Sequence, residues 1–156
     1  WQGCILLAKV HQDVDLYDFG GQGKYTIVDI STGWCGYCQE WAALLAGMPS
    51  YFDSATWSDL HPLVDLVNDG SLYWVTILSE TGSGGAPTDY NSDNWASTWP
   101  NEAIPVMADL DQVMPNHINV YGYPTMLLVD ENMEIVAYDR EDYPATLATA
   151  IELASQ

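Results

Sequence analysis

The chain has 156 residues, 48% of them hydrophobic, with seven Trp and ten Tyr; it is long enough to bury one core and too apolar to be disordered. Three Lys or Arg against 22 Asp or Glu give a net charge of −19, which argues against nucleic acid and anionic membrane surfaces, since both are held through Lys and Arg. No run of 18 apolar residues is present, so the sequence encodes no bilayer span.

The acidity has two readings. It is a solvated surface suited to salty surroundings, where screening relaxes self-repulsion, or it is a preference for basic partners. The sequence opens on Trp1 with neither a Met nor a charged leader, so it reads as mature or trimmed, with any signal or anchor outside it. Cys4 follows Trp1-Gln2-Gly3, which is not the small aliphatic run that precedes a lipidated cysteine. It reads as a buried small hydrophobe, or else as a regulatory or intermolecular thiol.

Ile5 to Val10 is a short apolar run that predicts a first strand. Asp13 to Gly23 ends in a turn at Gly20-Gly21-Gln22-Gly23. Lys24 to Ser31 is nearly continuous in β-branched and aliphatic residues, the pattern of a central strand covered on both faces. Thr32 and Gly33 end it. Trp34-Cys35-Gly36-Tyr37-Cys38 follows, and then Gln39 to Ala46 in helix-forming residues, stopped by Gly47-Met48-Pro49.

The two cysteines therefore sit where a strand becomes a helix. Unpaired N–H groups and the helix dipole stabilise an anion there. The Cys35 thiol is expected to ionise below its ordinary value of about 8.5, as attacking thiolate, with Cys38 as resolving thiol. A structural bridge and half of a zinc site are the alternatives. Zinc needs four ligands, and the remaining candidates are Cys4 and the scattered His11, His61 and His117.

Ser50 to Thr56 predicts a loop exposing Tyr51 and Phe52. Trp57 to Asp69 has helical spacing, with Pro62 in the first turn and His61 as a polar first-turn residue. Leu72 to Leu78 predicts a second buried strand. Thr81 to Pro87 reads as a flexible loop able to overhang the cysteines. Ser92 or Asp93 is expected to cap a short helix carrying Trp95 and Trp99, which are core or else a wall for substrate. Ile104 to Ala108 predicts a strand and Asp109 to Asn119 a brief helix or loop. Thr125 to Val129 and Glu134 to Tyr138 predict a hairpin turned at Asp130 to Met133. Tyr143 to Ala154 closes the chain as a helix, with Pro144 in its first turn.

Two segments, Tyr25 to Cys38 and Val120-Tyr121-Gly122-Tyr123-Pro124-Thr125 to Asp130, resemble in order the two signatures of the thioredoxin superfamily. The resemblance runs from about Asp15 to the C-terminus. The long segment between the signatures is similar to the extracytoplasmic TlpA/ResA-type reductases. It implies an α/β thioredoxin-like fold over residues 1–156 as a single domain, with a central mixed sheet and helices on both faces. It implies a thiol–disulfide oxidoreductase acting on disulfide-containing protein substrates, with a further redox partner, no cofactor, and an extracytoplasmic location, periplasmic or in the cell envelope.

The resemblance also implies site roles. Asp29, six residues before Cys35, would be a buried carboxyl that relays a proton to or from Cys38; the alternative is an ordinary strand-end Asp. Pro124 would be cis and would place the backbone of Tyr123 beside the disulfide, where it pairs with an extended substrate. Trp34 and Tyr37 would form an apolar rim. The chain departs from the thioredoxin pattern at Ala43, where a kinking proline is common, so a straighter helix is expected. Gly36-Tyr37 is the dipeptide of periplasmic isomerases, and reductase, oxidase and isomerase all stay open. A thiol peroxidase and a non-catalytic binding module are the rival readings. The peroxidase pattern fits Thr32 but has Val28 where it wants proline.

Overall fold

The computed structural model describes residues 16–138 and 142–156. The predicted strand at Ile5 to Val10, Cys4 and Arg140 lie outside the described residues. Among the described residues the strands are β1 (Thr26–Thr32), β2 (Tyr73–Glu80), β3 (Val106–Ala108), β4 (Thr125–Val129) and β5 (Ile135–Ala137). They form one sheet in the order β3-β2-β1-β4-β5. The first three are mutually parallel, and β4 is antiparallel to both β1 and β5. The helices are α1 (Gly36–Leu45), α2 (Pro62–Asn68), α3 (Asp89–Thr98), α4 (Val113–Ile118) and α5 (Tyr143–Ala154).

Every residue of β1 is buried. Side chains alternate across a strand, so its two faces feed two different cores. Ile27 packs with Trp74, Met126 and Leu128 beneath Trp41, Leu44 and Leu45 of α1, Leu63 and Val67 of α2, and Leu147 of α5. Val28 and Ile30 pack on the other face with Val75, Ile77, Leu127 and Val129, covered by Phe19, Met114 and Ile118. This is the two-sided burial expected of a nearly continuous apolar strand.

The predicted loop at Ser50 to Thr56 departs from expectation. It holds a turn of 3-10 helix, Tyr51–Asp53, and the start of a second, Ala55–Leu60, which runs on into the stretch predicted at helical spacing. Ser50 caps the first: its Oγ accepts from the Phe52 N–H at 3.1 Å, and Asp53 accepts from the Ser50 N–H at 2.8 Å. Phe52 is not exposed. It is fully buried and stacks on Trp41 at 4.3 Å. A helical turn directs Phe52 inward while Tyr51 stays outside.

The helix after the Gly-rich loop starts earlier than expected. Thr88 and Asn91 cap it: the Asn91 side-chain carbonyl accepts from both the N–H and the hydroxyl of Thr88 at 2.9 Å. Ser92 and Asp93 lie inside α3, and Trp99 is its C-cap.

Candidate active site

The two cysteines are joined, with an S–S distance of 2.07 Å. Cys35 is the N-cap of α1, in extended backbone, and its sulfur accepts from the Cys38 N–H at 3.1 Å. One sulfur therefore lies against the opening amides of the helix, where partial positive charge gathers. Both cysteines are buried, Cys35 at 5% exposure and Cys38 at 1%. The residues around them are open: Trp34 is 51% exposed and Tyr37 56%.

The turn that presents the disulfide is held from several sides. Gly33 N–H donates to the Glu80 carbonyl at 2.9 Å, and Cys35 N–H to the Thr32 carbonyl at 3.2 Å. Gln39 Nε2 reaches back to the Gly33 carbonyl at 2.9 Å. A Cβ on Gly33 would lie 2.6 Å from the Gly82 nitrogen and 2.9 Å from the Thr81 carbonyl carbon. Only glycine allows the start of the 81–87 loop to approach the cysteine turn this closely.

The Tyr123–Pro124 peptide is cis. Tyr123 packs against the cluster of Cys35, Cys38, Leu78 and Trp95, and its ring meets Trp34 edge-on at 5.6 Å. Its hydroxyl accepts from Ser79 Oγ at 3.1 Å. The second signature is thus brought to the disulfide by β4, which pairs with β1 from Thr26↔Val129 to Ile30↔Thr125.

Asp29 is buried in the middle of β1, on the α1 side of the sheet. Burial pushes its carboxyl up to about 6, while hydrogen bonds from hydroxyls pull the other way. Those donors are Ser31 Oγ at 2.7 Å and Thr76 Oγ1 at 3.2 Å. Asp29 makes these bonds rather than one to a cysteine. It does line a small cavity with Ala42, Trp95, Trp99 and Val106, and those four residues also pack around the disulfide. Carboxyl and sulfurs therefore share walls. Trp95 is buried in this layer, so it belongs to the core, and the Trp99 ring lies tilted against it with centroids 4.4 Å apart.

Several contributors were not singled out from the sequence. Ser31 and Thr76 hold the carboxyl; Ser79 and Glu80 hold Tyr123 and Trp34. The strand period carried a signal for the first pair, since Asp29 and Ser31 share a face and Thr76 is the β2 partner of Asp29. Glu80 carried none: its bond to Trp34 joins residues 46 apart. His61 Nε2 is bonded to the Phe52 carbonyl at 2.8 Å. No group of three or more His, Cys, Asp or Glu is placed to hold a metal among the described residues.

No protein-family model matches the chain, and no curated protein matches it. Solved structures do. A thioredoxin-like protein from Bacteroides caccae aligns at TM-score 0.55 and 14% identity, over 90% of this chain and 42% of that one. The chain thus spans less than half the length of that relative. A protein assigned as thiol:disulfide interchange protein DsbE, from Chlorobium tepidum, aligns at TM-score 0.55 and 18% identity, over 92% of this chain and 86% of that one. An exposed lipoprotein thioredoxin from Streptococcus pneumoniae aligns at TM-score 0.50 and 18% identity, over 83% and 87%. The fold is thioredoxin-like.

Proposed function

We propose that the chain is a thiol–disulfide oxidoreductase that reduces or exchanges disulfides in protein substrates through Cys35 and Cys38. The observation that carries this reading is the position of the pair: a disulfide closed across the first turn of α1, with the Cys35 sulfur on the Cys38 amide. In the reduced protein those amides favour the Cys35 thiolate over the thiol. The thiolate attacks a substrate disulfide, and one substrate sulfur leaves with the electron pair. Cys38 then attacks Cys35 of the mixed disulfide and frees the second substrate sulfur. Two electrons pass from the dithiol to the substrate.

Asp29 is the base for the second step. A carboxyl ionising at about 6 is mostly deprotonated at neutral pH and close enough to neutrality to pass a proton on. Tyr123, before the cis peptide, pairs through its free backbone groups with an extended substrate strand. Trp34 and Tyr37 form the rim. Two solved neighbours of the fold carry names that suit an extracytoplasmic location, a thiol:disulfide interchange protein DsbE and an exposed lipoprotein thioredoxin. We place this chain in the same setting, handing electrons between a redox partner and substrate proteins.

Insulin reduction in dithiothreitol tests the reading. The wild-type chain accelerates it, Cys35→Ser does not, and Cys38→Ala accumulates mixed disulfides through Cys35. A passive bridge in a binding module would leave all three inert and trap nothing.

A further inference from the structure

We infer that the rim selects disulfides flanked by basic residues, so that the substrate class is a cationic, extended polypeptide; this rests on the exchange activity proposed above. The rim pairs exposed aromatic rings with carboxylates on two sides of the disulfide. On one side the Trp34 indole N–H donates to Glu80 Oε2 at 2.7 Å. On the other, Tyr37 and Tyr51 meet edge-on at 6.2 Å, and the Tyr51 N–H donates to Glu40 Oε2 at 2.6 Å. Asp53, exposed two residues on, is fixed by the Ser50 N–H at 2.8 Å.

Each of these carboxylates is positioned by a neutral N–H. Among the described residues none is paired with a Lys or Arg. Lys24 is the only Lys or Arg among the described residues, and it lies at the other end of the sheet. Its Nζ donates to the Gly70 carbonyl and stands 5.1 Å from the Tyr73 ring centroid. Tyr73 pairs with Thr26 at the start of β1, whereas the cysteines follow Thr32 at its end.

An arginine or lysine beside a substrate cysteine would find both halves of its preferred surroundings here. The ring face attracts the cation, and the adjacent carboxylate adds Coulomb attraction at close range. An acidic flank would meet repulsion on both sides. Complementarity of this kind acts mainly on encounter and on partner choice.

The test uses pre-reduced protein and three oxidants. Two are synthetic peptides with one intramolecular disulfide each, identical except for two Lys or two Glu beside the cysteines. The third is uncharged hydroxyethyl disulfide. In each reaction the protein dithiol gives up two electrons and two protons, and the oxidant disulfide takes them up. The Lys peptide is expected to react about tenfold faster than the Glu peptide at low ionic strength, the ratio falling toward one in high salt. Normalised to hydroxyethyl disulfide, the double variant E40Q/E80Q is expected to lower that ratio by about threefold or more. D65N/E152Q removes the same charge from α2 and α5 and should leave the ratio in place. Equal rates for the two peptides overturn the inference. So does an equal loss in both double variants, which would assign the preference to net charge alone. Failure to reduce even hydroxyethyl disulfide would instead overturn the exchange activity.

Discussion

Asp29 and Ile30 are neighbours in β1, both buried, and they face opposite sides of the same sheet. On the Ile30 side the layer is aliphatic: Val28, Val75, Ile77, Leu127 and Val129. On the Asp29 side the strand carries a carboxyl tied to two hydroxyls, beside the tryptophans that pack around the disulfide. The first side is what a sheet needs to fold. The second places a group that resists ionising in a layer that would be more stable without it, which is the cost expected at a working site. On the function proposed above, one strand does two jobs, and its two-residue period keeps them apart.

The sharpest break in this contrast is loss of the chemistry alone. Cys35→Ser is expected to bring exchange down to the uncatalysed rate while circular dichroism and the melting transition of the reduced form stay near wild type. On the structural side, Ile30→Ala removes a side chain with no exposed surface. It is expected to cost about 2–5 kcal/mol in urea unfolding, with the rate per folded molecule retained.

Asp29→Asn works in the opposite sense. Folding raises this carboxyl from 3.8 to about 6. The folded chain therefore keeps the proton over a window in which the unfolded chain has lost it. The stability this confers is fully present below pH 3.8 and is lost as pH rises through about 6. The gap corresponds to about 3 kcal/mol at 1.36 kcal/mol per pH unit. Above pH 6, Asp29→Asn is expected to be more stable than wild type by up to about that amount, with the two curves converging toward pH 4. The variant should also exchange more slowly and lose an inflection near pH 6 in its rate profile.

Gly33→Ala tests the turn between the strand and the disulfide. Its Cβ would strike the backbone at Thr81 and Gly82, and about 1–3 kcal/mol of stability should be lost as the loop shifts. The smallest effect belongs to Ser31→Ala. It removes one hydroxyl bond to the Asp29 carboxylate, worth about 1 kcal/mol. It should move the inflection near pH 6 upward, whereas Thr32→Ala, on the opposite face of β1, should leave it where it is.

Much of this was legible from residue types alone. β4 and α5 fall on the predicted residues because a buried β-branched and aliphatic run and a Pro-started helix are local signals. The strand–turn–helix around Cys35 was equally plain. Phe52 was not, because its burial depends on stacking against Trp41, eleven residues earlier in α1. The start of α3 was misplaced although Thr88 and Asn91 carry capping-box spacing; the Gly-rich run before them hid it. Glu80 lies beyond the strand predicted at Leu72 to Leu78, in a stretch that reads from sequence as unstructured; β2 in fact runs on to Glu80, and only its parallel pairing with β1 brings that residue to Trp34.

The most direct measurement is the order of alkylation in the reduced protein. Limiting iodoacetamide at slightly acidic pH, followed by peptide mapping, reads which sulfur is the thiolate. Labelling that falls on Cys35, with Cys38 spared until the chain is unfolded, is the outcome predicted by a sulfur lying on the opening amides of α1. Equal labelling of the two, or Cys38 reacting first, would contradict it.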